Sequence, residues 1–72
     1  MNTLQKVWAA EVNVDEIMPF GATPTGTGNL KRVVQNSYTP EGDIALSLID
    51  MMTGEEGIAF FEPTSEVCVW RL

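Results

Sequence analysis

Short apolar segments alternate with turn-forming stretches along the second half of the chain. The apolar segments are Leu30–Ser37, Ile44–Met52, Ile58–Glu62 and Val67–Leu72. The stretches between them contain Pro-Glu-Gly-Asp, Thr-Gly-Glu-Glu-Gly and Pro-Thr-Ser-Glu, and these residue types are typical of tight turns. The pattern therefore predicts an antiparallel meander of β-strands.

Alternation within the second apolar segment indicates which face is buried. Ile44, Leu46 and Leu48 share one face of a strand, because successive side chains of a strand point to opposite sides of the sheet. We expect this face to point into the core. By the same rule the adjacent Phe60 and Phe61 point in opposite directions, so one of the two rings lies outside this core.

The first half of the chain is less regular. Residues Thr3 to Val14 are rich in Val and Trp and favour a strand, although Leu4, Val7, Trp8 and Glu11 also fit a helical face. The four residues before Pro19, Asp15 to Met18, predict one helical turn that ends at the proline. Phe20 to Asn29 contain three glycines and one proline, which predicts a long loop or a loose hairpin.

These elements predict an all-β, mostly antiparallel fold with at most one short helical turn. A chain of 72 residues forms one domain, here residues 1–72, with the loop at 20–29 inside it. Five or so short strands in this length fold most economically into a small five-stranded barrel or roll. The order and lengths of the elements resemble SH3-like small barrels in outline, without a sequence signature of any family.

Charge is distributed unevenly, and this narrows the classes of partner. The net charge is −6, and residues 37–72 carry all of it, since the charges of residues 1–36 sum to zero. A negative surface repels phosphate backbones, so we expect no direct nucleic-acid binding. A basic protein surface is the natural complement, whereas the alternative is a solvated acidic face that only aids solubility.

Motifs for catalysis or cofactor binding fail on inspection. Gly21 to Gly26 have the spacing that opens a phosphate-binding loop, but Thr27 and Gly28 stand where Lys and Ser or Thr are needed. Histidine is absent and Cys68 is the one cysteine, which removes most transition-metal sites. The paired carboxylates do not have the spacing of a calcium loop. We therefore expect no cofactor, no metal, no catalytic residues and no enzymatic activity.

The cysteine content and the hydropathy of the chain also indicate the cellular compartment. The single Cys68 cannot form an internal disulfide, and no apolar leader precedes the domain. The longest uncharged stretch, Ile17 to Leu30, is full of Gly, Pro and Thr, so we expect no membrane-spanning segment. A cytoplasmic protein is the resulting expectation.

The function expected from these observations is protein binding without turnover. One form is a small acidic inhibitor or regulator, of the kind found in phages, that occupies a basic surface of its partner. The alternative is a structural subunit of a homo-oligomeric or capsid-like assembly, and a small enzyme is the third reading. The candidate partner-binding residues are the acidic turn residues together with exposed aromatic or Met side chains: Glu41, Asp43, Glu55, Glu56, Glu66, Phe61, Met52 and Phe20.

Overall fold

The chain forms six β-strands and one 3₁₀ turn. The computed structural model describes residues 3–20 and 29–71, so most of the predicted 20–29 loop lies outside the described residues. The strands are β1 (Thr3–Trp8), β2 (Ile17–Phe20), β3 (Asn29–Tyr38), β4 (Ile44–Asp50), β5 (Glu56–Phe61) and β6 (Glu66–Arg71), and the 3₁₀ turn spans Ala9–Glu11. Every strand pairing within these described ranges is antiparallel. The prediction of an all-β antiparallel fold with one short helical turn is confirmed.

All six strands belong to one sheet in the order β1-β6-β2-β3-β4-β5. The meander runs from β2 to β5, and β6 lies between β1 and β2 instead of continuing the meander beside β5. In the described ranges β1 and β5 do not pair with each other, so the sheet is open rather than a closed five-stranded barrel. Because only residues 62–65 link β5 to β6, the sheet must curl to bring these two strands within reach.

The short helical turn lies earlier than the sequence predicts. It occupies Ala9–Glu11, where the Ala9 N–H donates to the Ser65 carbonyl at 2.8 Å and the Ala10 N–H donates to the Pro63 carbonyl at 3.2 Å. The turn therefore binds the β5–β6 connection. The prediction of a helical turn at residues 15–18 is wrong, because Ile17 and Met18 pair with β3 and Asp15 turns the chain at a φ of 75°.

Pro19 limits how far β2 pairs with β6. Ile17 lies opposite Trp70, and this is the one recorded pair between these two strands. On its other side β2 pairs with β3 along its whole length, from Ile17 to Phe20. Proline has no backbone N–H to donate to a ladder, so a proline two residues beyond Ile17 accounts for the end of the β2–β6 pairing.

The core lies on the face of the sheet that carries Ile44, Leu46 and Leu48. Ile44, Leu46 and Leu48 are all buried, so the predicted core face of β4 is confirmed. The remaining buried side chains come from the other strands and the first connection: Ala9, Val12, Met18, Val33 and Val69. Asn36 is the polar exception at the core margin, since its side-chain amide donates to the carbonyls of Ala9 at 3.3 Å and Val12 at 2.8 Å.

Helical structure of membrane-spanning length is not seen in residues 3–20 and 29–71. The one helical element there has three residues and is not long and apolar enough to cross a bilayer.

Candidate partner-binding site

The turn between β4 and β5 presents two methionines on an ordered backbone. The Asp50 carboxylate accepts the N–H groups of Met52 at 2.8 Å and Thr53 at 3.0 Å. These two backbone hydrogen bonds lower the pKa of Asp50 below its ordinary value. Gly54 completes the turn at a φ of 74°, a left-handed conformation that favours glycine. The result is a fixed turn in which Met52 is 90% exposed and Met51 is half exposed.

The next strand, β5, is an edge of the sheet with apolar side chains on its outer face. Ile58 is 61% and Phe60 is 65% exposed. Glu56 lies on the same face, two residues before Ile58, and is also exposed. We use the name β5 edge for Glu56, Ile58 and Phe60. Their side chains lie on the outer face, and the name includes their backbone on the side away from β4. Large apolar side chains with this exposure on an edge strand are typical of interaction sites.

A shallow groove borders the β5 edge on the outer face of the sheet. Its volume is about 450 Å³, and its lining includes Val34, Ser47 and Ile58. On β3 the pairing register with β4 shifts between Val33 and Gln35, so Val34 forms a bulge there. Gly57 also lines the groove and carries no side chain. The groove gives side chains of a bound segment space next to Ile58.

The two phenylalanines of β5 have opposite environments. Phe61 packs against the buried core, opposite Ile44 on β4. Phe60 lies opposite Ala45 and is exposed. The candidate surface thus carries Phe60 in place of the Phe61 chosen from the sequence.

Acidic side chains lie at both ends of β5. Glu55 and Glu56 are exposed where the strand begins, and Glu62 is exposed directly after it ends. Glu41 and Asp43 belong to the β3–β4 turn, which lies at the same end as Glu62, because Ile44 pairs with both Tyr38 and Phe61. The apolar β5 edge is therefore bracketed by negative charge.

The two arginines form their ion pairs with other acids. Arg71 forms an ion pair with Glu16 in which its Nη2 donates to Oε1 at 2.8 Å, and its Nε also donates to Oε2. Arg32 pairs with Asp15 at 3.1 Å. Lys31 lies opposite Asp50, with its Nζ 5.7 Å from the centre of the Phe20 ring. Both arginines are thus held by acids of the β1–β2 connection, far along the chain from Glu55 and Glu62.

Two sequence-chosen residues lie away from the β5 edge. Phe20 is half-buried against the core at the end of β2. Glu66 starts β6 and lies opposite Trp8 on β1. Beside them, where β2 and β6 part, an apolar cleft of about 420 Å³ is lined by residues that include Pro19, Cys68 and Trp70. The structure therefore brings together Met52, Glu55 and Glu56, but neither Phe20 nor Glu66, at one surface.

Metal-ligating side chains do not gather in the described part of the chain. No group of three or more His, Cys, Asp or Glu side chains with metal-binding geometry occurs in residues 3–20 and 29–71. The acids near the β5 edge are exposed turn and strand-end residues. Their arrangement suits long-range attraction of positive charge.

Sequence reasoning missed Ile58 and Phe60, and one signal points to them. Glu56, Ile58, Phe60 and Glu62 share one parity, and this parity carries a charge at each end. Gly57, Ala59 and Phe61 share the other, which is uncharged. Since charges at strand ends favour the solvent face, the apolar pair between them is expected outside.

Comparison with protein-family models and with curated protein sequences finds no match for this chain.

Proposed function

We propose that this protein is a non-enzymatic binding module that occupies a basic surface of a partner protein. The single observation that carries the proposal is the β5 edge, an exposed apolar strip with acidic residues at both ends. Exposed aromatic and Met side chains anchor protein interfaces, while charges around them steer and orient the partner. The net charge of −6 strengthens that attraction at low salt.

An inhibitor or regulator is the form of this function that fits the charge best. Basic protein surfaces commonly bind nucleic acid, and a compact acidic domain on such a surface competes with the phosphate backbone. The proposal includes action inside the cell, where a single Cys68 needs no disulfide partner. It also includes an SH3-like outline for the curled sheet, supported by the tight β3–β4–β5 meander.

Charge reversal at the two acidic turns tests the proposed function. The partner is captured from an extract of the cells that make the protein, purified, and titrated with each variant. We expect Glu55→Lys/Glu56→Lys to weaken binding by about tenfold or more and to flatten its salt dependence, because these acids adjoin Met52 and the β5 edge. Glu41→Lys/Asp43→Lys makes the same change in charge on the other turn and serves as the matched control.

The proposed function fails if neither reversal changes affinity or its salt dependence. Unfolding midpoints of all variants are measured in parallel. Surface reversals of this kind are expected to change the free energy of unfolding by only about 0.5 kcal/mol, so a large loss of binding cannot then be attributed to unfolding.

A structural subunit is the second candidate, favoured by the second free edge. Strand β1 is unpaired on its outer side in the described ranges and exposes Leu4 and Trp8. Pairing of β1 in one copy with β5 in the next would join copies head to tail into a ring or filament. Sedimentation velocity at micromolar concentration separates this arrangement, with its large particles, from a monomeric binding module.

A further inference from the structure

The β5 edge has free backbone hydrogen-bonding groups at defined residues. The Asp50 N–H donates to the Glu55 carbonyl at 2.9 Å, which fixes the hydrogen-bonding phase of the β4–β5 ladder. In an antiparallel ladder, every second residue of a strand forms backbone hydrogen bonds to the neighbour on one side, and the residues between them point to the other side. Gly57, Ala59 and Phe61 therefore bond to β4, and the N–H and C=O groups of Glu56, Ile58 and Phe60 point away from it. Within residues 3–20 and 29–71 these outward groups have no recorded backbone partner.

The side chains beside these free groups suit an extended segment. Ile58 and Phe60 stand two residues apart on the outer face, at the spacing at which alternate residues of an added strand meet them. The 450 Å³ groove next to Ile58 gives such residues a place to pack. A paired strand would bury both apolar side chains and satisfy the free backbone groups in one step.

The charges at the ends of β5 argue against a second copy of this chain as the added strand. An antiparallel pair centred on Ala59 places Glu56 opposite Glu62 of the other copy. A pair centred on Ile58 places Glu56 opposite Phe60, so the acids are apart but no basic residue faces them. A parallel pair places each acid beside its counterpart. Like charges directly opposite destabilise a strand pair, and no pairing of β5 with β5 of a second copy supplies a positive charge to its acids. Strand β1 of a second copy carries one basic residue, Lys6, which lies inside that strand and cannot face both ends of β5.

The same charges favour a segment with basic ends. We propose that the β5 edge binds a partner by strand addition, and that the added strand carries alternating apolar residues with Lys or Arg at both ends. Because acids lie at both ends of β5, this composition is the same whether the strand adds in a parallel or an antiparallel direction. This inference rests on the proposed function and names the segment of the partner that it requires.

A displayed library of short random peptides, panned on the purified protein, tests the inference. We expect the enriched sequences to have an alternating apolar centre with a basic residue near each end. A synthetic peptide of that sequence is then titrated against variants. Ile58→Pro removes a free N–H that does not bond to β4, and proline is tolerated at such positions of edge strands. We expect it to weaken binding by about tenfold or more, which corresponds to about 1.4 kcal/mol.

Two further variants separate the backbone effect from the charge effect. Glu56→Lys/Glu62→Lys reverses both ends of the edge and is expected to weaken the peptide by about tenfold, with an inverted salt dependence. Glu41→Lys/Glu66→Lys makes the same change in charge at residues outside β5, and it is expected to weaken the peptide less than Glu56→Lys/Glu62→Lys does. Phe60→Thr keeps a good strand former and removes the aromatic anchor, so it tests the same surface if Ile58→Pro does not fold.

Amide hydrogen exchange gives a structural readout. In the free protein we expect the amides of Gly57, Ala59 and Phe61 to exchange slowly and those of Ile58 and Phe60 to exchange fast. Bound peptide should slow Ile58 and Phe60. Any of three results would overturn the inference. The enriched peptides lack basic ends, the exchange rates of the Ile58 and Phe60 amides do not change on binding, or the protein forms a dimer through this edge at neutral pH.

The outcome also separates this inference from the proposed function. If Glu55→Lys/Glu56→Lys weakens the natural partner while the Ile58 and Phe60 amides stay unprotected in that complex, a basic partner binds but not by strand addition. If no acidic reversal matters to the natural partner, the proposed function itself has failed.

Discussion

Leu46→Ala is expected to destabilise the fold by about 2–5 kcal/mol. The Leu46 side chain is fully buried, between Asn36 on β3 and Ala59 on β5. Truncation removes apolar contact and leaves a cavity that the neighbouring strands fill only in part. For 72 residues, native stability is about 4–11 kcal/mol, so this one change removes a large share of it.

Urea denaturation followed by tryptophan fluorescence measures the loss. The matched control is Ile58→Ala, a comparable truncation on the adjacent strand at a side chain that is mostly exposed. We expect the control to change the free energy of unfolding by no more than about 0.5 kcal/mol. Similar losses for the two variants would show that Leu46 does not occupy the core.

Glu16→Gln is expected to destabilise the protein near neutral pH and to lose this effect as the pH falls. The Glu16 carboxylate accepts two hydrogen bonds from Arg71 and one from the Asn13 N–H at 2.7 Å. The Arg71 hydrogen bond is the main cause that lowers the pKa of Glu16, the Asn13 bond adds to it, and partial burial opposes it. A loss of about 1 kcal/mol is reasonable for a charged, partly solvated hydrogen-bonded pair.

The sign of the pH dependence follows from the lowered pKa. In the unfolded chain Glu16 titrates near its ordinary value of 4.5, so the stabilisation is fully present above that pH. It is lost as the pH falls through the lower pKa of the folded state. The difference in urea midpoint between the wild-type protein and Glu16→Gln should therefore shrink between neutral pH and acid. Glu55→Gln, at an exposed turn position, is the control for removal of a negative charge.

Local patterns predicted the parts of the fold that local forces determine. The turn after Tyr38 formed at Pro40-Glu41-Gly42, with Gly42 at a φ of 89°, since these residues favour a turn in any context. The buried parity of β4 was readable because three apolar residues alternate there. Strand β6 was also recognised, but its neighbours were not. Nothing in Val67–Leu72 indicates that it inserts between β1 and β2, because strand order is set by packing between distant segments.

The candidate site was predictable to the extent that charge and turn chemistry reveal it. The exposure of Met52, Glu55 and Glu56 was predictable because a turn exposes the side chains that it carries. The choice between Phe60 and Phe61 needed the register of β5 with β4, and a shift of one residue exchanges the two faces. Glu16 and Arg71 escaped notice because they are 55 residues apart and meet only once β6 lies beside β2.

The pairing of β1 with β6 has a consequence for how the chain folds. Thr3 lies opposite Arg71, a separation of 68 residues, whereas β3, β4 and β5 are joined by short turns. Contacts between segments so far apart form at a high cost in loop-closure entropy, and chains dominated by them fold slowly. We therefore expect the β3–β4–β5 hairpins to be structured in the folding transition state and the β1–β6 pair to form after it. Substitutions at Val7 or Val69 should then mainly accelerate unfolding, while Leu46→Ala should also slow folding.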